Sequence, residues 1–383
     1  MQGPQNNGDR FHGLKRALRR LPRIGRYLRP IVRHGTLQKL ANIARIETEL
    51  RGRKITLRGQ PYYYLIDVCN VCNLRCPLCP TGLETLDRYQ GMIGFHEYRT
   101  ILDKVAPHAL VVSLYNHGEP FLNKDIFHII EYTASNNIAS NLSSNFNWPV
   151  RFDPKDIVRS GLEYLTISLD GASPESYVKY RVRGDFKEVV ENVKAVVAAR
   201  RELKSRTPFL EWQFIVFKHN EHEIAKAKEL AAEWGVDLLR FTSPGVPPEL
   251  MHDREISQKW MPENRNFLEL NPTIVDEKGF LFDQACFYLY RSMSIYPGGG
   301  VSPCCFVHDK KDDFGNILES NVEDIWNNER YRSARMLFGQ ASYDEPRAKI
   351  VCDTCPIFKQ EHGHVCAGAG HGPTRQPATV HHG

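Results

Sequence analysis

The 383-residue sequence predicts an α/β fold built on a parallel sheet, with a smaller unit after it. Two observations carry this. Between residues 61 and 243, six short apolar runs alternate with amphipathic helical patterns, and strands separated by helices become parallel neighbours through right-handed crossovers. The chain is also longer than a usual single domain, and the rhythm stops near residue 244. Six units are too few for a closed eight-stranded barrel, so an open partial barrel and a doubly wound sheet both satisfy the pattern. In either, the loops that follow the strands share one face, and active sites gather there.

The first elements are helical. Residues 1–10 are polar; from Phe11 onward Leu14, Leu18, Leu21 and Leu28 recur near helical spacing, with Lys15, Arg16, Arg19, Arg20, Arg23 and Arg26 between them and Pro22 and Pro30 as breaks. A further helix over 36–50 carries Leu37, Leu40, Ala41 and Ala44 on one side, and this arm is expected to pack on the next domain and expose its arginines. Strands are expected at 62–68, 110–115, 138–143, 164–170, 210–218 and 237–243. Helical patterns lie near 96–105, 125–135, 154–160, 186–203 and 221–234, the last stopped by Gly235. Residues 244–272, with Pro244, Pro247, Pro248, Pro262 and Pro272, read as a loop-rich connection. Short strands, a turn at Pro297-Gly298-Gly299-Gly300 and a helix around 322–326 follow, and the Gly-, His- and Pro-rich tail from Ala367 reads as disordered.

An apolar fraction of 42% and a charged fraction of 25% are ordinary for a soluble globular protein, and no apolar run reaches the roughly 18 residues of a membrane span. The net charge of +5 hides a polarity. Residues 1–60 hold 15 Lys or Arg against 3 Asp or Glu, an excess of +12 that leaves −7 on the remainder. Such a segment suits an anionic membrane surface, nucleic acid or the acidic body of its own chain. The N-terminus has no uninterrupted apolar stretch of the secretory kind. The expected location is cytoplasmic, with membrane association through the arm.

Ten cysteines fall into groups rather than an even scaffold, which favours metal sites in a reducing compartment. Cys72, Cys76 and Cys79 lie within eight residues, directly after the first strand, and thiolates so spaced reach one soft-metal centre, zinc or iron–sulfur. Cys69, three residues upstream, is a candidate fourth ligand. Cys286, Cys304 or its neighbour Cys305, Cys352 and Cys355 form a second set able to fill a cluster or a zinc site. His362, His364 and Cys366 read as part of a solvated tail.

The spacing Cys-x3-Cys-x2-Cys after a first strand, followed by Gly118-Glu119-Pro120 after the second, resembles the radical SAM superfamily. The resemblance spans residues of about 61 to 360 and implies a partial (β/α)6 TIM-like barrel with a small C-terminal α+β iron–sulfur domain. It implies a [4Fe-4S] cluster on Cys72, Cys76 and Cys79 whose open iron binds S-adenosylmethionine. Gly118, Glu119 and Pro120 are then expected at the methionine ammonium, where a carboxylate is a fitting partner and glycine permits close backbone approach. Asn145 ends the third strand in Ser143-Ser144-Asn145, with Phe146 where many relatives carry glycine. Ser168 and Asp170 end the fourth, before Ser173-Pro174, and with Asn145 are expected to contact S-adenosylmethionine, while Arg181 or Arg183 is placed to meet its carboxylate. Leu78 stands where relatives place an aromatic against adenine.

Gly-x-x-Pro-Cys-Cys, Phe314-Gly315-Asn316-Ile317, Trp326 and Cys-x-x-Cys-Pro resemble the family's SPASM or twitch extension. The continuing Cys-x5-Cys-x3-Cys of a full SPASM domain is absent, so the resemblance implies the twitch form, one auxiliary [4Fe-4S] cluster on Cys286, Cys304, Cys352 and Cys355. The expected division is 1–58 basic amphipathic segment, 59–272 radical SAM core, 273–366 auxiliary domain and 367–383 tail. The implied activity is reductive cleavage of S-adenosylmethionine and oxidation of a sugar, cyclitol or other small metabolite, with the auxiliary cluster as electron acceptor. Expected partners are a small or lipid-linked substrate, with peptide as the alternative, and a flavodoxin- or ferredoxin-type reductant. A zinc-binding protein acting on nucleic acid is the alternative of another class and the less favoured one. His117 and Tyr115 lie on the right face, but no catalytic base is assigned.

Overall fold

The computed structural model describes residues 28–148, 152–246, 250, 253–267, 286–338 and 347–355. The tail from Ala367, Cys366, His362, His364 and the first amphipathic pieces lie outside these. Strands β1 (Tyr63–Ile66), β2 (Val111–Ser113), β3 (Ala139–Ser144), β4 (Tyr164–Ser168), β5 (Phe209–Ile215) and β6 (Leu238–Thr242) each pair in parallel with the next. Every crossover moves one strand in the same direction, so the sheet is the open partial barrel and not the doubly wound form, whose order would reverse. Its helices are α1 (Leu37–Arg51), α2 (Phe95–Val105), α3 (Ile126–Ser135), α4 (Pro154–Arg159), α5 (Pro174–Tyr180), α6 (Phe186–Glu202) and α7 (Ile224–Trp234). Ser173 caps α5 with Pro174 in its first turn, and α7 ends at Gly235 in the left-handed conformation.

The period of two divides each strand between two environments. Tyr64, Ile66, Leu142, Leu165, Ile167, Leu210, Trp212 and Phe214 are buried in one core with Tyr98, Ile101 and Leu102 of α2. The alternate residues line the other side and include paired polar groups: the Tyr63 and Ser113 hydroxyls meet at 2.6 Å, those of Ser143 and Ser168 at 3.0 Å, and Arg240 pairs with Glu211. A polar lining of that kind is spent on a ligand rather than on a core.

Helix α8 (Arg254–Trp260) sits inside the stretch read as loop, and its Trp260 is buried. After it come α9 (Phe287–Arg291), β7 (Ser292–Ile295), β8 (Gly300–Ser302), β9 (Gly315–Asn316), α10 (Val322–Trp326) and α11 (Glu329–Met336). Strand β7 pairs in parallel with β1, from Tyr63↔Ser292 to Ile66↔Ile295, and β8 and β9 continue antiparallel. The cysteine-bearing C-terminal unit therefore shares one nine-stranded sheet with the barrel.

One expectation is reversed. In α1 the residues turned to the protein are Lys39, Asn42, Ile46 and Leu50, while Leu37, Leu40, Ala41 and Ala44 face solvent. Polar anchors account for it: Lys39 Nζ donates to Asn137 O at 2.6 Å, and Asn42 exchanges two hydrogen bonds with the backbone of Gln60. Made directionally, those bonds outweigh the apolar preference of the other side.

Arg335 of α11 is fully buried and lies 4.4 Å over the Trp326 ring; its Nε and Nη1 donate to Leu289 O and Ile55 O, at 2.9 and 3.1 Å. Burial lowers its pKa to about 10. Arg335→Met leaves those carbonyls unpaired and should cost about 3 kcal/mol, read as a lower Tm in anaerobic thermal unfolding; an unchanged Tm would show that the junction does not depend on this guanidinium.

Candidate active site

The loop carrying Cys72, Cys76 and Cys79 leaves the C-terminal end of β1 and is tied on three sides. Arg75 N–H donates to Val182 O at 3.0 Å, and its side chain turns back to Cys72 O and Leu74 O. Leu74, Cys76 and Leu78 are buried against Tyr180, Phe217 and Trp260, with Cys72 and Cys79 packed beside them. A Cβ on Gly82 would lie 2.4 Å from Cys76 O, so the chain closes under the loop only with glycine there. Burial pushes Cys72 up to about 11, with Glu119 and Cys79 adding to it, and Cys76 up to about 12. Cys69 is fully buried, its thiol donating to Val71 O at 3.4 Å.

The loop after β2 is clasped onto this one. Glu119 N–H donates to Val71 O at 2.9 Å, and a Cβ on Gly118 would sit 2.0 Å from Cys69 O. Pro120 opens a 3-10 turn whose Phe121 N–H donates to Glu119 Oε1; Glu119 Oε2 accepts from Asn145 N–H at 2.7 Å. Glu119 is wholly buried, and burial raises its pKa to about 7 against those hydrogen bonds. Asn145 Nδ2 in turn reaches Cys72 Sγ at 3.6 Å and Asn73 Oδ1 at 2.9 Å. Gly118, Glu119, Pro120, Asn145 and the thiols are thus brought together. Phe146 has φ +58, the conformation natural to the glycine it stands in for.

Asp170 and Arg181 form a buried pair. Asp170 Oδ2 accepts from Arg181 Nε and Nη2, both at 2.6 Å, and Oδ1 accepts from Ile215 N–H at 2.7 Å. Burial pushes the Asp170 pKa up, with Arg181 opposing; burial also works against the Arg181 charge, yet Asp170, first among its neighbours, holds it well above its ordinary value. Both Asp170 oxygens are occupied, so it acts on the site through Arg181, whose Nη1 stands 3.9 Å from Cys76 Sγ. Arg183 is exposed at φ +73. Ser168 is engaged with Ser143.

The second cysteine set gathers behind β7 and β8. Burial pushes Cys304 well above the usual thiol range, with Cys305, Cys352 and Cys286 adding to it; Cys352 is raised the same way, with Cys286 and Cys355 adding. Cys305 stands beside this group and also donates to Tyr288 Oη at 3.3 Å. Between the two sets, Asn116 Nδ2 donates to both Tyr296 Oη and Cys305 O, at 3.1 and 3.2 Å. The His117 ring stacks on Tyr296 at 5.7 Å, and Arg88 lies 3.6 Å over the same ring while bonded to Asp313. Burial lowers the His117 pKa to about 3, and its Nε2 has no hydrogen-bond partner.

Sequence reasoning passed over Asn147, Asp67 and Trp260. Asn147 ties Asn73, Tyr177, Asp185 and Asn145 together, and the signal was the Asn-x-Asn pair at the end of the third strand. Trp260 carried no local signal.

Residues 66–211 match the Radical SAM superfamily, and residues 286–356 match SPASM, an iron–sulfur cluster-binding domain. The chain is a radical SAM enzyme with a C-terminal SPASM domain. It is 27% identical over 343 residues to an AdoMet-dependent heme synthase of Methanosarcina barkeri, covering 82% of this chain and 92% of that one. It is 23% identical over 326 residues to a PqqA peptide cyclase of Xanthomonas campestris pv. campestris, covering 77% and 79%. Its fold is similar to that of SuiB of Streptococcus suis bound to S-adenosylmethionine, with a TM-score of 0.57 at 16% identity over 83% of this chain and 75% of that one.

A radical SAM enzyme of this composition uses S-adenosylmethionine and two iron–sulfur clusters. Among the described residues no three His, Cys, Asp or Glu side chains close around a single ion. The fit rests on donor chemistry: two groups of free thiols, buried where a thiolate needs a cation, and glycines that a Cβ would block. Cys304→Ala should halve the iron bound after anaerobic reconstitution, whereas Cys305→Ala should retain it; the reverse pattern in an iron and sulfide assay would move the ligand to Cys305.

Proposed function

We propose that the enzyme oxidises a polar small molecule, with Cys72, Cys76 and Cys79 holding a [4Fe-4S] cluster and Cys286, Cys304, Cys352 and Cys355 holding the second. The reading rests on the grouping of Cys286, Cys304, Cys352 and Cys355, whose thiols push one another's pKa upward. Four protein ligands leave no iron open for substrate, a state suited to moving electrons. When bound, the cofactors supply a 5′-deoxyadenosyl radical for hydrogen abstraction and an acceptor for the remaining electron.

The chain supplies position and exclusion of water. Glu119, ionised, takes the methionine ammonium, and Arg181, aimed by Asp170, takes its carboxylate. Asn145 orients the same end through its bond to Glu119. Leu78, backed by Tyr180, Phe217 and Trp260, offers an apolar wall to adenine, and the Ser168 hydroxyl lines the approach. The hydroxyls, amides and Arg240–Glu211 pair that line the sheet suit a substrate rich in hydrogen-bonding groups. The heme-synthase relative favours a small molecule, and the peptide-cyclase relative makes peptide modification the second reading. A flavodoxin- or ferredoxin-type protein is the reductant.

Cys76→Ala should abolish dithionite-dependent 5′-deoxyadenosine formation, while Cys352→Ala should spare it and lose product; equal loss in both would make the second cluster structural. Incubation with deuterated candidate metabolites and peptides, followed by mass analysis of 5′-deoxyadenosine, decides between the substrate classes.

Glu119 gives a pH test. A carboxyl raised to about 7 favours the folded protein while protonated, and that contribution fades as pH rises from its unfolded value through about 7. The ammonium needs the ionised form. S-adenosylmethionine affinity should therefore tighten about tenfold per pH unit below that value and level off above it. Glu119→Gln should bind weakly and without this slope in equilibrium dialysis; a wild-type affinity flat in pH would remove Glu119 from the ammonium.

A further inference from the structure

The solvent side of α1 is its apolar side. Leu37 and Leu40, and Ala41 and Ala44, are three residues apart, Leu37 and Ala41, and Leu40 and Ala44, four apart, with Leu37 89% and Leu40 40% exposed. The adjoining helical residues 28–34 add Leu28 at 52% and Val32 at 83%. A contiguous exposed apolar strip of this kind marks an interaction surface. It is not slack in the fold, because the other side of α1 is fixed by Lys39 and Asn42 and by Ile46 and Leu50 in the core.

Charge selects what covers it. Arg29, Arg33 and Arg45 are exposed on this stretch; Arg33 shares Glu163 at 3.3 Å and Arg29 lies 5.6 Å from the centre of the Phe209 ring, so Arg45 is the cation with neither partner. The two acidic residues of α1 are spent elsewhere: Glu47 accepts from Arg291 and Tyr62, and Glu49 from the backbone N–H groups of Arg58 and Gly59. A second copy of the chain would bring like charge to like. Residues 1–27, with seven Lys or Arg against one Asp, carry the same sign. An anionic bilayer offers the opposite sign at its surface and an apolar layer beneath, and so satisfies both features at once.

We propose that the exposed strip of α1 and its arginine rim dock the enzyme on an anionic membrane surface. No helix among the described residues is long and apolar enough to cross a membrane, and the contact is peripheral. Residues 28–60 hold eight Lys or Arg against two Glu, an excess of +6 that orients the molecule with this end toward the lipid. Ile31 and Ile43 pack on Leu110, Val111 and Ala139 at the starts of β2 and β3, the end of the sheet opposite the Cys72–Cys79 loop. Docked this way, the active face stays in water.

The test is co-sedimentation of the reconstituted full chain with vesicles of phosphatidylcholine alone or mixed equally with phosphatidylglycerol. Binding is expected to the mixed vesicles only, to fall as salt shortens the screening length, and to drop at least about tenfold in Leu37→Asp and in Arg45→Glu. Both variants should cleave S-adenosylmethionine at the wild-type rate, which separates this proposal from the substrate reading. Failure of the wild type to bind mixed vesicles overturns it. So does binding that survives both substitutions, which would place the contact in residues 1–27, or a dimer that Leu37→Asp converts to monomer, which would make a second copy the occupant.

Discussion

Strand β1 is the constraint on which the two cysteine sites depend. It is only four residues long, yet it is hydrogen-bonded in parallel on both sides, to β2 and to β7. The first thiol loop hangs from its C-terminal end, the Gly118-Glu119-Pro120 loop from the end of β2, and the second cysteine set flanks β7 and β8. Asp67 extends the tie beyond the strand: its N–H donates to Ile295 O at 2.8 Å and its Oδ1 accepts from Asn116 N–H at 3.1 Å. Burial raises its pKa to about 7 and leaves Oδ2 without a partner. A protein retains so costly a carboxyl where it fixes geometry, here the spacing of three loops that meet around the reaction.

A low dielectric does two jobs around Cys76. Leu74, Leu78, Tyr180, Phe217 and Trp260 exclude water, which strengthens every charge interaction inside and shields a reactive species from solvent. The same burial favours the neutral thiols, so a cluster assembled there would couple loss of protons to arrival of metal. Arg181 is the cation already installed. Its desolvation is offset by Asp170 at 2.6 Å, and a buried pair of this kind contributes direction more than stability.

The strand rhythm was legible because each strand has one side in the helix-facing core, so periodicity and burial coincide at Tyr64, Ile66, Leu165 and Trp212. The first thiol loop was legible because its ligands are local in sequence. What stayed hidden depended on partners far along the chain. Periodicity found the apolar side of α1 but assigned it inward, since nothing local says that Lys39 will reach Asn137 or Asn42 the backbone of Gln60. Spacing could not separate Cys304 from Cys305, and it gave no sign that Cys305 would meet Tyr288. Asp170 read as a ligand contact, yet Ile215 and Arg181 occupy it. The pairing of β7 with β1 joins elements more than two hundred residues apart and had no local sign.

Phe146 shows how a departure from the family pattern can leave its purpose intact. A left-handed φ costs a non-glycine residue about 1 kcal/mol. The ring is fully buried, 4.8 Å from Trp148, which lies 5.2 Å from Phe121 and 4.6 Å from Phe152. Burying a phenylalanine contributes about 2 kcal/mol or more, so the aromatic cluster outweighs the backbone strain. Ser144 Oγ accepts from both Phe146 N–H and Trp148 Nε1, and Asn192 donates to Phe146 O. With the turn held by packing instead of by glycine's freedom, Asn145 has one orientation, its N–H on Glu119 and its amide on the thiol loop. A glycine would permit this turn, and the phenylalanine enforces it.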